Sequence, residues 1–333
     1  IIKKNKDIIL KNGTYTACRL DDPDWELTST TTKLFNDADR GHAYNMFLKY
    51  KKIPIFYTPF ISFPLSDKRQ SGILIPSFGT SGDSGSTYSV PYYLNLAQNY
   101  DATIQVTSLS ERGTLFDNEF RYLGNNSSSL FNFSHIESDD KYGDDRYSYS
   151  FVDSRNIINS INSLKPNAAG FSMNSQISYG RVSDLKYFDD FGNSLSSVSQ
   201  SSVKRELKLY GERFSKNGIM NYELSSLSYQ PTQSGIAEQY QTMPSLKLNY
   251  ASFASNSSYQ YKLKASVDKF KHKDNSKTEG TRYTLYPSVE IPIKREAWEV
   301  TPKLGIRYID YSLDNNSLEA ESKTTPIVSL RGK

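Results

Sequence analysis

The stretch Tyr259-Gln260-Tyr261-Lys262-Leu263-Lys264-Ala265-Ser266-Val267 alternates without a break. Tyr259, Tyr261, Leu263, Ala265 and Val267 fall on one side, and Gln260, Lys262, Lys264 and Ser266 on the other. Successive side chains of an extended strand point to opposite faces, so this period of two predicts a strand with one apolar wall and one polar, cationic wall. The same rhythm runs from Phe171 to Tyr179, where Phe171, Met173, Ile177 and Tyr179 oppose Ser172, Asn174, Gln176 and Ser178. It returns from Tyr283 to Ile293, where Tyr283, Leu285, Val289, Ile291 and Ile293 oppose Thr284, Ser288 and Glu290. Further candidate strands lie near 102–108, 115–123, 129–136, 146–152, 203–213, 219–229, 245–252 and 298–312. No window of about 11 or more residues sustains the 3.6-residue spacing of an amphipathic helix, so the sequence predicts an all-β chain.

Composition narrows what such a chain does. Over 333 residues only 37% are hydrophobic, yet 13% are aromatic, with 25 Tyr and 17 Phe. A disordered chain is equally polar but poor in aromatics, so this balance predicts a folded protein. No apolar run approaches the roughly 18–20 residues of a membrane-crossing helix. A transmembrane β-barrel remains open, because its alternating strands average out as hydrophilic. The net charge is +4, and the short basic runs Lys3, Lys4, Lys6 and Lys49, Lys51, Lys52 read as solvated strand faces. Nucleic acid is therefore discounted as a partner.

Turn-forming clusters such as Gly124-Asn125-Asn126, Lys216-Asn217-Gly218 and Lys273-Asp274-Asn275 separate the candidate strands and predict an up-and-down meander. Longer polar connections, Glu137–Arg146 and Ser183–Ser202, are interspersed with them. Short turns mixed with long loops, and strands nearer the roughly 9–11 residues of a tilted membrane strand than the 5–6 of a soluble sandwich, favour a barrel in the outer membrane. The N-terminal part differs. Pro54, Pro59 and Pro64 punctuate IPIFYTPFISFPL from Ile53 to Leu65, and such prolines suit an edge strand or a bulge. The expected division is residues 1–66, a smaller β-domain with its Pro-rich connection, and residues 67–333, the barrel part.

Candidate chemistry is thin. The string GDSGS, Gly82–Ser86, has the look of a serine-protease nucleophile loop, but none of His42, His135 and His272 stands in a matching setting, and the cluster reads as a hairpin turn. The three histidines share no metal-ligand spacing. The pairs Asp139-Asp140, Asp144-Asp145 and Asp189-Asp190 are expected to be solvated loop carboxylates rather than a catalytic dyad. No catalytic, cofactor or metal residue is expected. Cys18, the single cysteine, is either a free thiol or bonded to a partner outside this sequence.

Several strings carry a resemblance to a family. YTACRLDDPDWEL (Tyr15–Leu27), IPIFYTPFISFPLSDKRQSGILIPSFG (Ile53–Gly79) and VPYYLNLAQNYDATI (Val90–Ile104) resemble the LptD lipopolysaccharide-assembly proteins of Gram-negative outer membranes. NEFRYL (Asn118–Leu123), VSDLKYFDDFGN (Val182–Asn193) and TRYTLYPSVEIPI (Thr281–Ile293) are weaker echoes. The resemblance implies an N-terminal β-jellyroll in the periplasm that receives lipopolysaccharide from the bridge protein LptA. It also implies a large antiparallel barrel, holding the plug lipoprotein LptE, that delivers the lipid among outer-membrane lipids. It implies no enzyme. At roughly 20 residues per strand, residues 67–333 supply about 13 strands of a family barrel of about 26. VSLRGK (Val328–Lys333) lacks a terminal aromatic strand. The expectation is an internal fragment holding part of a jellyroll and about half a barrel. By resemblance, Cys18 falls on a family cysteine that forms a disulfide with the C-terminal part of the barrel, which an oxidising periplasm permits.

The family's substrate has acyl chains and a large anionic sugar head, so a hydrated lumen with a lateral opening suits both ends of it. Pro76 and Pro91 lie in SGILIPSFG and STYSVPYYL and match the family's gate prolines at the same separation of 15 residues. Each removes one backbone donor, so the pair is expected to weaken the seam by roughly 1–3 kcal/mol. Two other readings are a general diffusion porin and a soluble β-rich adhesin or binding domain. A porin needs no jellyroll or weakened seam, and a soluble domain buries its aromatic faces.

Overall fold

The computed structural model of the chain describes residues 2–4, 7–19, 21–160, 170–192, 201–253, 259–296, 298–314 and 321–332. Part of the expected Ser183–Ser202 connection, together with Asn193, lies outside the described residues. Among the described residues every element is a strand except one helix of 5 residues. Close contacts divide the chain into two compact units, Ile1–Phe120 with Ile136–Asp144, and Arg121–His135 with Asp145–Lys333.

The first unit begins with a five-stranded antiparallel sheet, ordered β1 (Ile2–Lys4), β2 (Asp7–Tyr15), β3 (Trp25–Phe35), β4 (Arg40–Tyr50) and β5 (Ile53–Pro64). Pro54, Pro59 and Pro64 all fall in β5, at the sheet's edge, where a missing donor breaks no second ladder. Tyr50 pairs with Ile53, so Lys51 and Lys52 form a two-residue hairpin turn at φ 45° and 70°. Both central residues take the left-handed conformation that matches the twist of the flanking strands. These lysines were expected on a strand face and instead make the turn.

The remaining strands belong to a 16-stranded antiparallel sheet. In the first unit these are β6 (Gly72–Ile73), β7 (Ser77–Ser81), β8 (Gly85–Leu94), β9 (Tyr100–Leu109) and most of β10 (Gly113–Leu123). Residues 66–71 pin the N-terminal sheet to the start of this run. Ser66 Oγ donates to the Asp39 carboxylate, Gln70 Nε2 donates to the Asp39 carbonyl at 2.9 Å, and Arg40 Nε donates to Gln70 Oε1 at 3.0 Å. From the same segment Arg69 grips Asp101 at 2.7 Å and the Gln98 carbonyl at 2.6 Å.

The second unit takes most of β11 (Ser127–Ile136), then β12 (Arg146–Asn159), β13 (Gly170–Val182), the helix α1 (Tyr187–Phe191), β14 (Ser202–Ser215), β15 (Gly218–Pro231) and β16 (Gln241–Ser252). It continues with β17 (Gln260–Lys271), β18 (Gly280–Glu290), β19 (Ile293–Lys294), β20 (Glu299–Leu313) and β21 (Lys323–Gly332). Neighbours in the sheet are neighbours in sequence, except that β6 and β7 both pair with β8, and β18 pairs with β20 while both β19 and β21 also pair with β20. This is the predicted meander. The expected strand from Tyr283 to Ile293 ends at Glu290 and resumes as the two-residue β19, with Pro292 between them denying the ladder a donor.

Polarity across this sheet is the reverse of a soluble protein's. On β17 and β18, Tyr261, Leu263, Val267, Tyr283 and Leu285 are exposed, with relative accessibilities of 38–51%. On the opposite face Asp268 and Ser245 are each 3% exposed and Glu290 is 6% exposed. Facing residues agree in register: Leu263 lies opposite Tyr250 and Pro287, and Asp268 lies opposite Ser245 and Arg282. On these strands the polar side chains are the covered ones and the apolar side chains the open ones.

One close approach on the open face requires glycine. A Cβ at Gly211 would lie 2.0 Å from the Ser172 carbonyl oxygen and 2.5 Å from the Tyr222 hydroxyl. Tyr222 lies over this glycine from the next strand, stacks on Phe171 at 5.6 Å and donates to the Ser172 carbonyl. The ring replaces the packing that the missing side chain gives up.

Candidate functional site

The covered face of the second unit carries chains of ion pairs. On β14–β16, Glu223 holds Lys208 at 2.8 Å and Lys247 at 3.0 Å, and Lys204 pairs with Glu206 at 2.8 Å. These strands line an open pocket of about 320 Å³ whose walls include Tyr210, Glu223, Lys247 and Asn249. On β17–β20, Glu290 holds Lys262 at 2.7 Å and Lys303 at 3.7 Å. Asp268 takes Arg282 at 3.0 Å and a hydrogen bond from Ser245 at 2.6 Å. On β12, Asp153, 1% exposed, accepts from Ser129 at 2.6 Å and pairs with Arg155 at 2.8 Å. A buried carboxylate costs free energy unless it is paired and hydrogen-bonded, and each of these is. The face is hydrophilic and electrically organised, as a wall bordering water and polar cargo is.

Charge is unevenly spread along this wall. The covered positions of β14–β16 carry Lys204, Lys208 and Lys247 against Glu206, Glu212 and Glu223. Those of β17, β18 and β20 from Lys303 to Ile309 carry Lys262, Lys264, Arg282, Lys303 and Arg307 against Asp268 and Glu290. The first stretch is neutral and the second is basic.

Pro76 and Pro91 meet at one irregularity in the first unit. Gly72 and Ile73 pair with Tyr93 and Tyr92, and Ser77–Ser81 pair with Ser89–Gly85. Between these two short strands residues 74–76 form no regular strand, so the expected strand SGILIPSFG is split and Pro76 stands in the gap. Leu74 donates to the Pro91 carbonyl at 2.9 Å. An antiparallel hydrogen-bonded pair exchanges two bonds, and Pro91 has no N–H with which to return the second. On its other side Pro91 pairs in register with Gln105 of β9.

Cys18 lies beyond β2, half-buried and free, and its amide donates to Thr16 Oγ1 at 3.0 Å. GDSGS forms the β7–β8 hairpin turn, with Gly85 at φ 69°. His42 sits edge-on between Phe35 and Phe60, at 5.1 and 5.2 Å, and His135 stacks on Phe133.

Two ionic clasps escaped the sequence. Asp139 and Asp190 were expected to be solvated, yet Asp139 is 0% exposed and pairs with Arg112 at 2.9 Å. Arg146, also 0% exposed, grips Asp184 at 2.8 Å and Asp190 at 2.6 Å, and its guanidinium lies 4.8 Å over the Phe191 ring. The helix α1 is thereby folded back onto the start of β12, and Tyr187 donates to Ser134 Oγ at 2.7 Å. Val182 and Val203 close a small apolar core against Tyr187. The partners stand 38 and 44 residues apart from Arg146, so no local spacing signals them.

Burial works against the Asp184 carboxylate, but hydrogen bonds from Arg146, Ser183 and the Lys186 amide outweigh it and hold its carboxyl below the usual range. A carboxyl depressed in the folded state stabilises above its unfolded value, about 3.9, and the gain disappears as pH falls through the lower folded value. Proteolysis within residues 183–192 should therefore be unchanged from pH 7 to about 4 and should rise only below that. Opening between pH 7 and 5 would contradict the clasp.

Comparison with known proteins gives one consistent family. The family described as "LptD: LPS transport system D" matches residues 144–332. An LPS-assembly protein LptD of Nitrosospira multiformis is 34% identical over 329 residues, covering 96% of this chain and 34% of the relative. The LPS-assembly protein LptD of Thiobacillus denitrificans is also 34% identical, covering 96% of this chain and 42% of the relative. The chain thus spans well under half the length of the curated relatives it matches. Among solved structures, Pseudomonas aeruginosa OccK5 aligns over 92% of both chains with a TM-score of 0.32 and 8% identity, values that carry no argument.

Proposed function

The chain belongs to the LptD family, and from that premise we propose that it supplies part of an outer-membrane wall through which lipopolysaccharide passes to the outer leaflet. The observation that carries this is the reversed polarity of β13–β18, with exposed Leu263, Leu285 and Tyr283 backed by covered Asp268 and Glu290. Only a hydrocarbon surrounding rewards such a sheet, and the relatives' printed name supplies the cargo. In this reading the protein is a non-enzymatic conduit. Residues 1–66 lie in the periplasm as part of a jellyroll, and residues 67–333 span the membrane as part of a barrel. The sugar head travels along the covered, charged face.

The acyl chains leave sideways through the break at residues 74–76. Pro76 and Pro91 support this role because Pro91, opposite Leu74, has no donor to return and Pro76 stands in the same gap two residues on. Pro91→Ala in the full-length parent restores a donor opposite Leu74 and tightens the seam by about 0.5–1.5 kcal/mol. Surface lipopolysaccharide should fall, measured by labelling intact cells. Undiminished export in that variant would remove the gate from the mechanism.

Delivery to the conduit falls to the bridge protein LptA, and the lipoprotein LptE plugs the lumen, both carried over from the family. Cys18, the single cysteine here, is carried over from the family as one half of a disulfide with the C-terminal part of the barrel. Crosslinking of the parent to lipopolysaccharide in cells tests the cargo. A parent that passes small solutes in vesicles and never crosslinks to lipopolysaccharide is a porin instead.

A further inference from the structure

We propose that Lys264, Lys303 and Arg307, grouped around Tyr286 on the covered face of β17–β20, form a subsite for the phosphate groups of an anionic glycolipid headgroup. The proposal rests on the conduit reading above and specifies where along the wall the head is held.

The group is built around a fixed platform. Tyr286, 9% exposed, lies over Gly305, where an added Cβ would come within 2.7 Å of the ring. Lys303 and Arg307 flank that glycine on the same strand face and rest their charges over the ring, at 5.0 and 5.4 Å. Lys264 faces Tyr286 directly from β17. Two cations thus rest over one aromatic ring, and a third stands in register beside it on the neighbouring strand.

Their charge is under-compensated. Glu290 is the nearby carboxylate, and it is already shared between Lys262 at 2.7 Å and Lys303 at 3.7 Å. Among the described residues no carboxylate stands within ion-pair distance of Lys264 or Arg307. Elsewhere on this wall the lysines of β14–β16 are matched by glutamates, so the excess is local. Like charges held together are unfavourable until an anion joins them. Arg307 supplies a planar fork suited to phosphate oxygens, and lysines supply point charges. A phosphomonoester on a sugar fits this set better than a carboxylate-poor neutral saccharide, and the cation–ring contacts hold the donors in place before it arrives.

The test uses the full-length parent in detergent and three probes: a bisphosphorylated lipid A glycolipid, the same glycolipid after phosphatase treatment, and inorganic phosphate. The wild-type protein should prefer the phosphorylated glycolipid, with affinity falling as salt rises. Lys264→Gln with Arg307→Gln should cut that affinity about tenfold and erase the preference over the dephosphorylated form. Lys271→Gln with Lys277→Gln, which removes equal charge at the β17–β18 turn, should leave both unchanged. Heat-modifiable gel mobility verifies that each variant is folded. A folded Lys264→Gln/Arg307→Gln protein that keeps the phosphate preference overturns the subsite alone. Inorganic phosphate competing as well as the glycolipid overturns the headgroup assignment. A wild-type parent that retains neither glycolipid defeats the conduit reading, and the subsite with it.

Discussion

Leu285→Arg in the full-length parent is expected to cost about 2–4 kcal/mol and to deplete the folded protein from the outer membrane. Leu285 is the middle residue of β18, 44% exposed, and stands in a row with Ala265 and Tyr308 on the open face. If that face meets hydrocarbon, a guanidinium at its centre has neither water nor a counter-ion. Thr284→Arg, one residue away on the covered face, should be close to neutral because that side borders water. Heat-modifiable gel mobility and outer-membrane abundance read both. Equal tolerance of the two substitutions would mean that the open face is not embedded in lipid, and the membrane assignment would fall.

Arg146→Ala carries the other large effect. Removing the guanidinium leaves Asp184 and Asp190 facing each other in a covered site, and breaking a buried ionic group from one side costs about 3–5 kcal/mol. The Phe191 and Tyr187 rings lose their cation at the same time. Arg146→Lys should recover only part of the loss, because an ammonium cannot fork to two carboxylates. Residues 183–192 should become open to protease while the strands stay protected. Arg146→Met combined with Asp184→Asn and Asp190→Asn should restore much of the protection, since no charge is then stranded. Unchanged protection in Arg146→Ala would show that the apolar core of Val182, Tyr187 and Val203 suffices alone.

The strands were legible in the sequence because their information is local. From Phe171 to Tyr179 and from Tyr259 to Val267 each residue declares its face by its own polarity, and the sheet has to respect that alternation along its length. Boundaries were less legible. β16 begins at Gln241 rather than near 245, since Thr242 and Met243 precede a register shift and do not alternate. The gap at residues 74–76 was hidden as well. ILIP reads as a strand until Pro91, 15 residues on, is known to sit opposite it. The clasps of Arg112 and Arg146 were invisible for the same reason, because they are made by residues that only the sheet brings together. The family strings were densest before Leu123, whereas the family match covers residues 144–332.

The short segment 66–71 is anchored at both of its ends, to Asp39 and Arg40 on one side and to Asp101 and Gln98 on the other. A tether without slack behaves as a rod. The N-terminal sheet and Gly72 are thereby held at a short, fixed spacing, and the next residues along the chain, 74–76, lie between strands. Lengthening this segment with glycines would introduce slack that the present hydrogen bonds deny it.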